Sequence, residues 1–182
     1  MTYVDVNGLP TWHEVRGEGQ PIVLLHGAFA GASSWSAPAP ALAAAGYKVH
    51  VPERRGHGHT PDVEGPMTYQ VMADDTVAYF DGVVGGPAHL VGWSDGAVVA
   101  LLVARGRPDL VDRLVLIGQY YSSSGKVTGG LTDQLSAGGG QLMGSCGPNT
   151  TRSPRTARST SRWCTPRRCG CLPLNPSSSW RP

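Results

Sequence analysis

The residues GWSDG at 92–96 set one serine between two glycines, the G-x-S-x-G spacing that presents a hydroxyl for nucleophilic attack on an acyl carbon. A serine at a sharp strand-to-helix turn takes a strained backbone conformation, and Oγ of Ser94 then projects clear of the chain. Gly92 and Gly96 must lack side chains so that strand and helix can approach each other around it. The helix N-terminus that follows adds positive potential near the same oxygen. A chance match is the competing reading in a chain with 25 glycines. The flanks decide against it: AHLVGW at 88–93 is an apolar run of strand type, and DGAVVALLVARGRP at 95–108 reads as a helix broken before proline.

Acyl transfer also needs hydrogen-bond donors aimed at the oxyanion of the tetrahedral intermediate, and two backbone N–H groups suffice. LLHGAFAGASSW at 24–35 supplies an HG turn, His26 and Gly27, at the end of an earlier strand, so the candidate donors are the N–H groups of Ala28 and Asp95. A third segment, PERRGHGHTPD at 52–62, is a glycine-punctuated loop after the next strand. These three ordered motifs resemble the α/β-hydrolase fold superfamily over residues 1 to about 120. The resemblance implies a doubly wound, mostly parallel sheet of the α/β class, incomplete on its C-terminal side, with Ser94 as nucleophile. It further implies a small-molecule ester, amide, lactone or related acyl substrate, an acyl-Ser94 intermediate, and neither cofactor nor metal. A serine at this position argues against the haloalkane dehalogenases and epoxide hydrolases of the superfamily, which use a carboxylate there.

In that superfamily the triad runs Ser, then acid, then His. Here the six histidines, His13, His26, His50, His57, His59 and His89, all precede Ser94, so none carries over as the base. Serine without a base is a weak nucleophile. Impaired turnover is therefore expected, the alternatives being a non-catalytic relic that binds a small molecule and an unstable fragment. His26 is the nearest substitute, but its simpler role is to order its own loop. His57 and His59 read as part of a solvated loop, Asp109 and Asp112 as helix caps, and nothing around Asp133 resembles an end-of-strand catalytic position.

Several elements must position these residues. Two short β-type runs around Asn7-Gly8 predict a hairpin over 2–15. PIVLLHG at 21–27 is a strand buried on both faces, SWSAPAPALAAAG at 34–46 a helix starting after Pro38 or Pro40, and YKVHVPE at 47–53 another strand. Met67, Val71, Met72 and Val77 have helical spacing, with Asp74 and Asp75 expected to face solvent. DRLVLIGQYY at 112–121 is the last strand. Strands alternating with crossover helices imply a parallel sheet covered on both sides, with the hairpin as one antiparallel edge.

Charge divides the chain. Residues 1–140 hold 8 Lys+Arg and all 13 Asp+Glu, net −5, while residues 141–182 hold 7 Arg and no acid, net +7. The domain reading follows that division: a truncated hydrolase core over 1–140 and a basic, aliphatic-poor, disordered tail over 141–182. The abrupt change reads as translation of a GC-rich gene out of frame, which sequencing of the coding DNA checks. The tail has no patterned nucleic-acid motif, and Cys146, Cys164, Cys169 and Cys171 lack paired C-x-x-C knuckles for zinc, so neither partner is expected. A front region free of cysteine, with no leader pattern and no membrane-length apolar run, predicts a cytoplasmic protein.

Overall fold

The computed structural model describes residues 2–119. Strands β1 (Thr2–Val6) and β2 (Leu9–Arg16) form the hairpin. It turns through Asn7 at φ 54° and Gly8 at φ 76°, and the Asp5 carboxylate accepts the Gly8 N–H at 3.0 Å. Strand β3 (Gln20–Leu25) follows, then a single 3-10 turn at Ala32–Trp35. Helix α1 (Pro38–Ala44) begins at Pro38, whose missing N–H costs nothing in the first helical turn.

Strand β4 is Tyr47–Pro52, and helix α2 (Tyr69–Tyr79) starts where the Thr68 hydroxyl accepts the Val71 N–H. A wide turn at Phe80–Val84 extends α2 and ends at Gly85, whose φ is 82°. Strand β5 (Ala88–Trp93), helix α3 (Asp95–Gly106), a 3-10 turn at Pro108–Leu110 and strand β6 (Val111–Ile117) complete the described elements. The last strand is thus shorter than the run at 112–121, whose end lies outside the described residues.

The strand order is β1-β2-β4-β3-β5-β6, antiparallel from β1 to β4 and parallel from β4 through β3 and β5 to β6. Residues alternate between the two faces, so Val23 and Leu25 of β3 pack with Met72, Phe80, Leu90 and Val99 beneath α2 and α3. Ile22 and Leu24 point the other way, into a cluster with Trp35, Ala39, Val49 and Val51. Leu24 and Leu25, adjacent in sequence and both fully buried, each contribute about 1.5–3 kcal/mol to opposite layers. The chain leaves β3 toward β4 on one side and reaches β5 and β6 on the other. The order therefore reverses at the C-terminal ends of β3 and β5, where Leu25 pairs with Gly92, and such a reversal opens a crevice.

Three acids are not as their sequence context suggests. Asp75 does not face solvent but receives Arg55 Nε at 2.6 Å and Nη2 at 2.8 Å, whereas Asp74 is exposed. Asp109 is held by Arg107, and Asp112 accepts Gln20 Nε2 at 2.8 Å, so neither side chain caps a helix. Residues up to Gln119 form one compact unit. The boundary at 140, the basic tail, its cysteines and Asp133 lie outside the described residues. Among the described residues no helix is long and apolar enough to cross a membrane.

Beneath α2 the strands bury two imidazoles against one phenol: His13 Nδ1 lies 2.6 Å and His50 Nδ1 3.3 Å from Tyr79 Oη. His50 Nε2 has no partner among the described residues. Burial, with Lys48 and His13 adding repulsion, lowers the His50 pKa to about 4, and burial lowers that of His13 too. The unfolded chain then binds more protons than the folded one between pH 6.5 and about 4. This part of the stability is complete above 6.5 and is lost as pH falls through that window. Urea unfolding at pH 7 and pH 4.5 is expected to show a lower midpoint in acid, and His50→Leu to flatten the difference. An unchanged acid sensitivity in His50→Leu would count against this origin.

Candidate active site

Ser94 occupies the turn between β5 and α3 with φ 53° and ψ −118°, a conformation that costs a residue with a side chain about 1–3 kcal/mol. Two anchors hold it there. Its N–H donates to the Ile117 carbonyl at the end of β6 at 2.8 Å, and its carbonyl accepts from Ala97 at 2.9 Å and Val98 at 3.3 Å at the start of α3. The glycines set how closely the parts approach. A Cβ on Gly92 would overlap the Gly96 carbonyl and the Ala97 backbone, and a Cβ on Gly96 would overlap the carbonyl oxygens of Leu25 and His26. A Cβ on Gly27 would lie 3.3 Å from Ser94 Cβ and 3.1 Å from the Trp93 ring. The end of β3 and the nucleophile turn therefore meet backbone to backbone.

That contact sets Gly27, which precedes Ala28, against Ser94, which precedes Asp95. Ala28 N–H belongs to the peptide that leaves Gly27, and Asp95 N–H to the peptide that leaves Ser94. Among the described residues neither donates to a protein acceptor. Ser94 Oγ is likewise without a described hydrogen-bond partner. The Asp95 carboxylate turns aside and accepts the Tyr69 hydroxyl at 2.8 Å. Two large apolar side chains adjacent in sequence to Ala28 and Ser94 are exposed, Phe29 at φ 55° and Trp93.

His26 is buried, and both its nitrogens are engaged. Nδ1 lies 2.8 Å from the Gly27 carbonyl, and Nε2 accepts the Arg54 N–H at 3.1 Å, which fixes the proton on Nδ1. Burial first, then Arg54 and His57, push its pKa well below 6.5. No lone pair is left for the Ser94 hydroxyl, so this imidazole orders its loop. His57 and His59 lie in the loop after β4, as read from the sequence; His57 is half-buried, whereas His59 is exposed. His57 packs 5.1 Å from the His26 ring, and His59 stacks on Trp12 at 4.6 Å.

Glu53, Arg54 and Tyr69 are absent from the reading of the sequence, although PERRG drew attention to its loop. Glu53 is buried, its Oε1 accepting Ala32 N–H at 3.0 Å and its Oε2 accepting the backbone N–H of His59. Arg54 is buried beside it and donates to the carbonyls of His26 and Gly27. A run of charged residues in a loop normally signals exposure, so only the paired turn chemistry on either side marks this one. Among the described residues no three His, Cys, Asp or Glu side chains gather as metal ligands.

Comparison with known proteins agrees with the fold. Residues 22–176 match the model of the alpha/beta hydrolase family. A pimeloyl-[acyl-carrier protein] methyl ester esterase of Aromatoleum aromaticum is 44% identical over 97 residues, 53% of this chain and 36% of that protein. An sn-1-specific diacylglycerol lipase of Danio rerio is 34% identical over 103 residues, 56% of this chain and 32% of that one. The crystal structure of an epoxide hydrolase from Vigna radiata superposes with a TM-score of 0.61 at 31% identity, covering 63% of this chain and 36% of the other. The matched part of the chain thus spans about a third of the length of these relatives.

Proposed function

The chain belongs to the alpha/beta hydrolase family, and we propose that it is built for acyl transfer to Ser94, as a serine hydrolase of small esters or related acyl compounds. The observation that carries this reading is the turn itself. A strained serine with an unengaged Oγ packs against Gly27 at the point where the strand order reverses, and the N–H groups that follow these two residues, Ala28 and Asp95, make no described hydrogen bond. Attack by Oγ on a carbonyl would place the resulting oxyanion before Ala28 N–H and Asp95 N–H, and such donors are worth about 10²–10³ in rate each. The two curated relatives are named for ester cleavage, which favours an ester over an amide. The exposed Phe29 and Trp93, next to Ala28 and Ser94 in the chain, favour an apolar group next to the scissile bond. No step in this chemistry calls for a metal or cofactor.

Without an imidazole base to activate Ser94 the reaction is expected to be slow. No histidine follows His89 in the sequence, and His26 is fully bonded. A missing general base slows a serine by about 10²–10⁴. A fluorophosphonate probe needs an activated serine but no particular substrate, so it is the direct test. Slow labelling of the full chain is expected, and complete loss in Ser94→Ala. Labelling that survives Ser94→Ala would reject Ser94 as the nucleophile. A folded chain with no labelling at all would favour the second reading, a hydrolase-fold protein that binds an acyl compound without turning it over.

A further inference from the structure

We propose that Arg54 is a positioning residue for the oxyanion donors: by gripping the Gly27 carbonyl from below, its buried guanidinium aims the Ala28 N–H of the same peptide toward Ser94. The proposal rests on Ser94 as the nucleophile. A peptide unit is planar and trans, so its C=O and N–H point in opposite directions. Whatever fixes the Gly27 oxygen therefore fixes the direction of the Ala28 hydrogen. Arg54 Nη2 donates to that oxygen at 3.0 Å and to the His26 carbonyl at 2.6 Å, and His26 Nδ1 donates to the Gly27 oxygen at 2.8 Å. The backbone N–H of Arg54 in turn holds His26 Nε2 at 3.1 Å. One residue thus secures the turn both directly and through the imidazole.

Packing alone does not account for an arginine here. Only 6% of the residue is exposed, and among the described residues no carboxylate lies within ion-pair distance of it. Its remaining contacts are Nη1 with Met72 Sδ at 3.5 Å and Nη2 beside His26 Nδ1 at 3.4 Å, and its Nε has no partner among the described residues. Burial lowers its pKa to about 10, opposed by the Asp95 carboxylate and the Tyr69 phenol. A cation buried without an ion pair is costly, and an apolar side chain of similar length would fill the same space among the Met72 neighbours. What such a side chain lacks is donors for the two carbonyls that precede Ala28.

The test compares the full chain with Arg54→Met and Arg54→Lys by amide ¹⁵N relaxation and by fluorophosphonate labelling. Arg54→Met is expected to drop the order parameters at Ala28 and Phe29 from about 0.85 to below about 0.6, with β3 and β5 unchanged. Labelling is expected to slow at least about ten-fold, in keeping with the worth of one oxyanion donor. Arg54→Lys keeps the charge and can reach one carbonyl, so it is expected to recover part of both. Loosening spread evenly over β3, β4 and β5 would overturn the proposal, as would a rigid loop in Arg54→Met or a Lys variant no better than Met. Should Arg54→Met fail to fold, Arg54→Lys decides alone, through loosening confined to residues 27–31. The Ser94→Ala control separates the two readings: if labelling persists there, Ser94 is not the nucleophile, while the relaxation data still judge Arg54.

Discussion

Gly96→Ala is expected to destabilise the chain by about 3 kcal/mol or more and to lower its melting temperature by roughly 10 °C. The reason lies in what the new methyl group would meet. A Cβ at Gly96 would overlap the carbonyl oxygens of Leu25 and His26, and both belong to backbone at the end of the central strand. A flexible side chain could swing aside, but β3 is paired on both edges and covered on both faces. Helix α3 must therefore lift from the sheet, exposing Val99 and Val103 and moving Ser94 away from Gly27. Gly92→Ala is expected to cost a similar amount, since its Cβ would overlap Gly96 and Ala97. Gly106→Ala is the control: it lies on the same helix, its Cβ would meet nothing within 4 Å, and it is expected to be neutral or slightly stabilising. Thermal melts of the three variants check this, and equal losses at Gly96 and Gly106 would show that the close approach at the turn does not matter.

The nucleophile turn is legible in the sequence because everything that makes it is local. An apolar strand, two glycines four residues apart and an alanine- and valine-rich helix leave the chain few ways to pass through Ser94. The same holds for the hairpin, where Asn7 and Gly8 accept positive φ that other residues resist. The parallel order also follows, since short crossovers between buried strands constrain the topology strongly. The supports beneath the site are another matter. Whether Glu53 and Arg54 are solvated or buried depends on residues 57–60 folding back so that Thr60 Oγ1 can accept the Trp12 N–H, a contact 48 residues apart in sequence. The Arg55–Asp75 pair and the His13–Tyr79–His50 cluster likewise arise from strand register and the seating of α2. Local composition makes each of these residues look like surface. In this fold the residue that carries the chemistry announces itself, and the residues that aim it do not.

Glu53→Ala is expected to be the most damaging change outside the glycine contacts, at about 3 kcal/mol. The carboxylate is buried and spans two loops, with one oxygen on Ala32 N–H and the other on the backbone N–H and Nδ1 of His59. Gly58 packs so closely that a Cβ there would fall inside the carboxylate, so water cannot readily replace the lost oxygens. Alanine would leave the buried Ala32 N–H and the part-buried His59 N–H unpaired, at a cost of about 1–3 kcal/mol for a buried donor. Both loops should then loosen, the one after β3 that carries Ala28 and the one after β4 that carries Arg54 and Arg55. Trypsin reports on the second of these, because cleavage after Arg54 or Arg55 needs an extended, mobile chain. Faster cleavage there, together with a lower melting temperature, is the expected result. Glu53→Gln retains one acceptor oxygen, which can serve either Ala32 or His59 but not both, so it should fall between wild type and Glu53→Ala. If glutamine is as damaging as alanine, the negative charge rather than the number of acceptors joins the two loops, and the neighbouring Arg54 cation becomes the group that needs it.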